Sequence, residues 1–251
     1  MIPNPILKVL SSMHARRVRA LLMGGQACVF YGAAEFSRDV DFAILTDARN
    51  LARLRRALAD LQAEVIAVPA FTMANLRRGF AIHFRCQHPA AEQLRVDVMS
   101  RMRGVDSFAK LWKRRTRIQL ASGETCDLLS LPDLVQAKKT QRDKDWPMIR
   151  RLLEAHYFQN HVLASRSQKK FWLAEMRTPE LLVEIAQQNM LLARRMISVR
   201  PLLAEAILGQ TDALAKSLSA EEAEIREKDR AYWKPLFREL ERLRHAQIGK
   251  R

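Results

Sequence analysis

The chain has 251 residues, 48% of them hydrophobic, and 43 Lys and Arg against 27 Asp and Glu give it a net charge of +16. At about 100–200 residues per domain, this length suits one large domain or two modest ones. The composition excludes a disordered tail, a collagen-like repeat and a disulfide-stapled miniprotein. No run of about 18 apolar residues is present, so no segment reads as a bilayer span and no membrane partner is expected.

In chain order, Met1-Ile-Pro-Asn-Pro lacks the charged-then-apolar layout of a secretory signal. Arg19–Met23, Val40–Leu45, Glu64–Val68, Phe80–Arg85 and Arg95–Met99 read as strands. A helix is expected from Gln26, directly after Gly24-Gly25. Another is expected over Ala48–Leu61, with Leu51, Leu54, Ala57, Leu58 and Leu61 on one face. Arg117–Leu120 and Cys126–Ser130 can pair as a hairpin across Ser122-Gly123-Glu124.

Beyond residue 130 the pattern is helical. Pro132, Pro147 and Pro179 stand at early helix positions, with Thr178 as an expected N-cap. Ser219-Ala-Glu-Glu222 fits a capping box opening a charged helix, which Pro235 should break or kink. Trp146, Trp172 and Trp233 read as helix-packing anchors. The expected class is α/β (α+β): a mixed sheet flanked by helices over residues 1–130, then an all-helical part over 131–251. Cys28, Cys86 and Cys126 are few and far apart, which suits reduced thiols and a cytoplasmic location.

The chemistry concentrates between Leu21 and Leu45. A strand runs into Gly24-Gly25 and a helix follows, so the backbone can approach a ligand and the first helical amides attract phosphate. Asp39-Val40-Asp41 then opens an apolar run. On a strand, positions i and i+2 share a side, so both carboxylates face one site while Val40 faces the core. Such an oxygen-rich pair suits Mg²⁺ together with substrate phosphates. Asp97, inside the apolar run Leu94–Met99, is a costly residue to bury unless paired or metal-bound. It supplies the third acid that a two-metal transfer needs.

Gly24-Gly25, Ser37-Arg38-Asp39-Val40-Asp41 and Asp97 together resemble the DNA polymerase beta-like nucleotidyltransferase superfamily. Within it the chain is most similar to the abortive-infection type nucleotidyltransferases, which include toxin components of toxin–antitoxin pairs. Leu131–Asp145, with Lys138 on a helix followed by Arg142-Asp143-Lys144-Asp145, supports the narrower match. The resemblance covers roughly residues 18–155. It implies that Gly24, Gly25 and Ser37 contact the triphosphate, and that Asp39, Asp41 and Asp97 hold two Mg²⁺ ions. It further implies that Asp97 accepts the acceptor's proton, that Lys138 reaches phosphate oxygens, and that Asp145 positions Lys138 or the nucleophile. Glu35 stands where many relatives carry Arg.

The expected activity is therefore transfer of a nucleoside monophosphate from an NTP to an acceptor hydroxyl. The positive charge favours an RNA acceptor such as the tRNA 3′ end, because phosphate neutralisation releases counterions. Residues 1–125 hold 20 Lys and Arg against 10 acids, and the remainder 23 against 17. Trp112 with Lys113-Arg114-Arg115, and Arg101 with Arg103, form a candidate basic rim beside Asp97. Small-molecule or protein acceptors stay open, as do a catalytically silent nucleotide- or RNA-binding module and a toxin neutralised by a cognate antitoxin protein. Arg142–Asp145 can equally be a local salt-bridge network. His83, Cys86 and His88 lack a fourth ligand at zinc-finger spacing, so they are not taken as a metal site.

Overall fold

The computed structural model describes residues 4–120 and 123–248. The expected signal-free start at Met1–Pro3 and Ser122 of the expected hairpin turn lie outside the described residues. By compactness the chain forms two units: Met1–Phe30, Ala34–Ala137 and Tyr232–Arg251 make one, and Tyr31–Ala33 with Lys138–Ala231 make the other.

The first unit opens with helix α1 (Asn4–Ala15), then β1 (Ala20–Met23), α2 (Gly24–Phe30), β2 (Asp39–Ile44) and α3 (Ala48–Asp60). It continues with β3 (Glu64–Val65), α4 (Met73–Arg78), β4 (Ile82–Arg85), β5 (Arg95–Met99) and α5 (Phe108–Lys113). The hairpin β6 (Thr116–Gln119) and β7 (Thr125–Leu128) and the helix α6 (Leu131–Lys138) follow. Seven strands form one sheet in the order β3-β4-β5-β2-β1-β7-β6. The central pairs are β1 with β2, antiparallel, and β2 with β5, parallel. This is the expected mixed α/β sheet.

Alternation makes the sheet's core. Val40 and Phe42 of β2, Val96 and Val98 of β5, and Ile82 and Phe84 of β4 are all buried. Leu51, Leu54, Ala57 and Leu58 are the buried stripe of α3. That helix starts at Asp47, whose side chain accepts from the Asn50 amide at 2.7 Å. The buried Asn50 carboxamide accepts from Arg19 N at 2.7 Å and donates to the carbonyls of Arg19 at 3.0 Å and Leu45 at 2.8 Å. One side chain thereby ties the entry of β1 to the exit of β2. The expected strand Glu64–Val68 is shorter than its composition suggested, with only Glu64 and Val65 paired to β4.

The second unit is helical: α7 (Asp145–Asn160), α8 (Arg166–Glu175), α9 (Pro179–Gln188), α10 (Met190–Met196) and α11 (Leu203–Ile207), followed by α12 (Thr211–Ile248), which runs on past Ala231. Trp146 and Trp172 are buried, as expected of packing anchors. Arg200 donates to the carbonyls of Leu173 at 2.9 Å and Met176 at 3.0 Å, closing the end of α8, and pairs with Glu221.

One expectation in this region needs correction, and two others are narrowed. Ser219 does not open a helix: it lies inside α12, where its hydroxyl donates to Ala215 O at 3.0 Å. A serine followed by glutamates satisfies a helix interior as well as an N-terminus. Pro235 does not break α12, which continues on both sides of it. Trp233 is less buried than Trp146 and Trp172 and stands beside exposed Tyr232 and Phe237. No helix among the described residues is long and apolar enough to cross a membrane.

Candidate functional site

β1 ends at Met23, and Gly24 carries the chain into α2 with φ +68°. That conformation favours glycine, and a second constraint acts there: a Cβ would lie 1.8 Å from Asp41 Oδ2. At Gly25 a Cβ would lie 2.6 Å from Ser37 Oγ. The Gly24-Gly25 backbone thus runs directly against Asp41 and Ser37. Ser37 Oγ donates toward the Asp39 carbonyl at 3.0 Å and Asp39 Oδ1 at 3.1 Å, fixing the entry to β2. Between them, Gln26 is almost wholly buried, and neither amide atom has a hydrogen-bond partner among the described residues. Sequence reasoning did not single it out.

Asp39 and Asp41 are half-buried on one side of β2, with Val40 buried on the other. Parallel pairing sets Asp41 opposite Asp97 and Asp39 opposite Arg95; on the next strand His83 stands opposite Asp97. Directly paired residues share a face of the sheet, so Asp41, Asp97 and His83 form a row across three strands. Arg95 grips Asp97 with two hydrogen bonds, Nε to Oδ1 at 2.8 Å and Nη2 to Oδ2 at 2.7 Å. His83 Nδ1 is 2.9 Å from Asp97 Oδ1 and 2.9 Å from Arg95 Nη2. It accepts from Arg95 when bare and donates to Asp97 when protonated.

Burial pushes the Asp97 carboxyl upward, but hydrogen bonds from His83 and Arg95 outweigh it and hold the group below the ordinary carboxylate range. Arg95 in turn holds its proton more tightly, first through Asp97 and then through the charges of Asp39 and Asp41. Arg95 was legible in principle, because i and i+2 share a strand face, yet only the acid drew attention.

Among the described residues, no group of three or more His, Cys, Asp or Glu side chains is gathered to hold a metal ion. Asp97 is engaged on both oxygens by Arg95. The donor set still fits a hard cation: Asp39 and Asp41 offer carboxylate oxygens on one face, beside a glycine backbone that a Cβ would displace.

In the second unit, Lys138 and Asp145 come together. Lys138 Nζ lies 3.4 Å from Asp145 Oδ1, while Thr140 Oγ1 at 2.6 Å and Arg142 Nε at 2.7 Å both donate to Oδ2. Burial raises the Asp145 pKa, but the charge of Lys138, the Thr140 hydrogen bond and Arg142 more than offset it, leaving it lowered. The i,i+3 pair of Arg142 with Asp145 is the local salt bridge that the spacing allowed.

The other basic and metal-like residues are committed elsewhere. Arg114 pairs with Asp133 at 2.5 Å and Asp106 at 2.9 Å. Arg115 pairs with Asp127 at 2.6 Å while stacking over Trp112 at 4.1 Å. Two cations of the candidate basic rim, Arg114 and Arg115, are thus engaged by acids. Cys86 is buried, which pushes its thiol up to about 11. His88 accepts from the Ala90 amide at 3.1 Å to cap a short turn. No disulfide joins Cys28, Cys86 or Cys126. No protein-family model matches the chain, and no curated protein matches it.

Proposed function

We propose that the chain transfers a nucleoside monophosphate from an NTP to an acceptor hydroxyl, with Mg²⁺ as cofactor and RNA, such as the tRNA 3′ end, as acceptor. The observation that carries this reading is the register that sets Asp41 opposite Asp97, with Asp39 on the same face and the Gly24 backbone against Asp41. The family resemblance adds the reaction type. Asp39 and Asp41 would hold the metal, with Asp97 as third ligand once Arg95 releases it. Bound there, Mg²⁺ neutralises phosphate charge at the transferring group.

The chain's own groups supply position and charge. The Gly24 and Gly25 backbone and the Ser37 hydroxyl receive the triphosphate, where a side chain at either glycine would block approach. The acceptor oxygen bonds to the α-phosphorus as the bond from that phosphorus to the β-phosphate bridging oxygen breaks. The hydroxyl proton passes to Asp97, and pyrophosphate leaves. Bonded to Arg95 and His83, Asp97 is held ionised and is a weak base; it takes the proton only after Arg95 has let go, and contributes orientation and charge more than basicity. The test is incubation with Mg²⁺, each labelled NTP in turn and total RNA. Label should enter RNA and be lost with Asp39→Asn or Asp41→Asn. Label entering only protein or a small molecule would change the acceptor; no transfer to any acceptor would remove the reading.

A further inference from the structure

Arg95, Arg114, Arg115 and Arg117 are engaged by acids, so a polyanion is better met by a surface whose cations no acid holds. Within the first unit, the C-terminal part of α12 presents such a surface. Trp233 and Phe237 are four residues apart and so share a face; Lys234, Arg238 and Arg242 repeat at the same interval in the neighbouring row. Phe237 is 47% exposed and Tyr232 41% exposed, large values for aromatic side chains. The Tyr232 and Trp233 rings meet edge to face at 4.9 Å, and Trp233 and Phe237 centroids lie 6.5 Å apart. Lys234, Arg238 and Arg242 are exposed. Neither Lys234 nor Arg238 is ion-paired among the described residues, although Glu241 shares the exposed side.

The opposite side of the same segment is tied down. A Cβ at Gly79 would lie 3.7 Å from Leu236, and Glu239 pairs with Arg78. Aromatic rings left half in water beside a row of cations are what single-stranded nucleic acid needs: faces on which bases stack, and charges that follow the backbone. A duplex keeps its bases stacked on each other and cannot use the rings. An acidic protein would use the cations and leave the rings idle.

We propose that this face of α12, with Trp233 and Phe237 as the stacking row and Lys234 and Arg238 as the phosphate row, binds single-stranded RNA. The choice of RNA rests on the acceptor reading above; the surface itself does not. The test uses the full chain and a fluorescein-labelled 12-nucleotide oligouridylate, titrated without nucleotide or metal over a salt series. A 12-base-pair RNA duplex and polyglutamate serve as competitors. The oligouridylate should bind more tightly than the duplex, and Phe237→Ala should weaken it on the order of tenfold. Lys234→Gln with Arg238→Gln should lower the slope of log affinity against log salt by about 1.4, at about 0.7 for each lost phosphate contact. Both variants alter exposed side chains, and unchanged circular-dichroism melting shows that each remains folded. Wild-type affinity and slope in both variants would overturn the proposal. So would a duplex or polyglutamate that competes as well as the single strand. Because nothing is transferred in this assay, its failure leaves the nucleotidyl-transfer reading standing. Failure of transfer with α12-dependent binding intact would instead remove that reading alone.

Discussion

Adding one methyl group at Gly24 would place it 1.8 Å from Asp41 Oδ2, on a backbone at φ +68°. The carboxylate must move, or the strand-to-helix turn must. Gly24→Ala should therefore cost about 1–3 kcal/mol of stability and abolish NTP binding, as read by denaturant melts and calorimetric titration. Gly25→Ala meets chiefly the Ser37 hydroxyl, at 2.6 Å. The Ser37 hydroxyl can rotate away, whereas at Gly24 the Asp41 Cβ itself would lie 2.8 Å off and cannot, so Gly25→Ala should bind more weakly yet stay folded. Equal behaviour of the two would mean that Asp41 is not pinned as described. Asp145 is a second residue with a measurable signature. Its pKa is lowered in the fold, so it stabilises above the unfolded value near 3.9 and that stability fades as pH falls through the folded value. Asp145→Asn leaves Lys138 buried without its partner and should cost about 3–5 kcal/mol at pH 7. The gap from wild type, followed by urea melts, should narrow below about pH 4; a gap constant with pH would contradict the ionised pair.

Among the elements, α12 offers the sharpest test. Pro235 sits inside a continuous helix, exposed, where it removes one amide donor. Pro235→Ala should stabilise the chain by about 1–3 kcal/mol in urea melts, whereas a loss of stability would mean that the proline shapes the helix usefully. The strands of the sheet were largely readable because β2 and β5 alternate apolar with polar residues along their length. α1, α4 and α5 were not singled out. The last two span only 6 residues each; Thr72 caps the first, Ser107 precedes the second without a side-chain cap bond, and such residues are too common in loops to stand out. Ser219 misled for the converse reason, since a capping-box pattern can lie within a longer helix. At the site, Asp39 and Asp41 were legible from strand period, and Asp97 as an acid inside an apolar run. The register that aligns Asp41 with Asp97, and the Arg95 and His83 contacts, depend on pairings between distant segments that one sequence does not encode visibly.

For the whole molecule, part of the basic excess behind the net charge of +16 is held in ion pairs. Arg95, Arg114, Arg115 and Arg117 are paired with acids, while the exposed cations of the last helix stand beside exposed rings. The first unit thus carries both an acidic centre on the sheet and a basic, aromatic surface on α12. Nucleotidyl transfer at the acidic centre has a distinctive signature. The most direct measurement supplies the same NTP with label on either the α- or the γ-phosphate, together with Mg²⁺ and RNA. Nucleotidyl transfer predicts that α-label becomes bound to RNA while γ-label is released as pyrophosphate, both lost in Asp41→Asn. Label from the γ-position on RNA, or α-label incorporation that persists in Asp41→Asn, would contradict it.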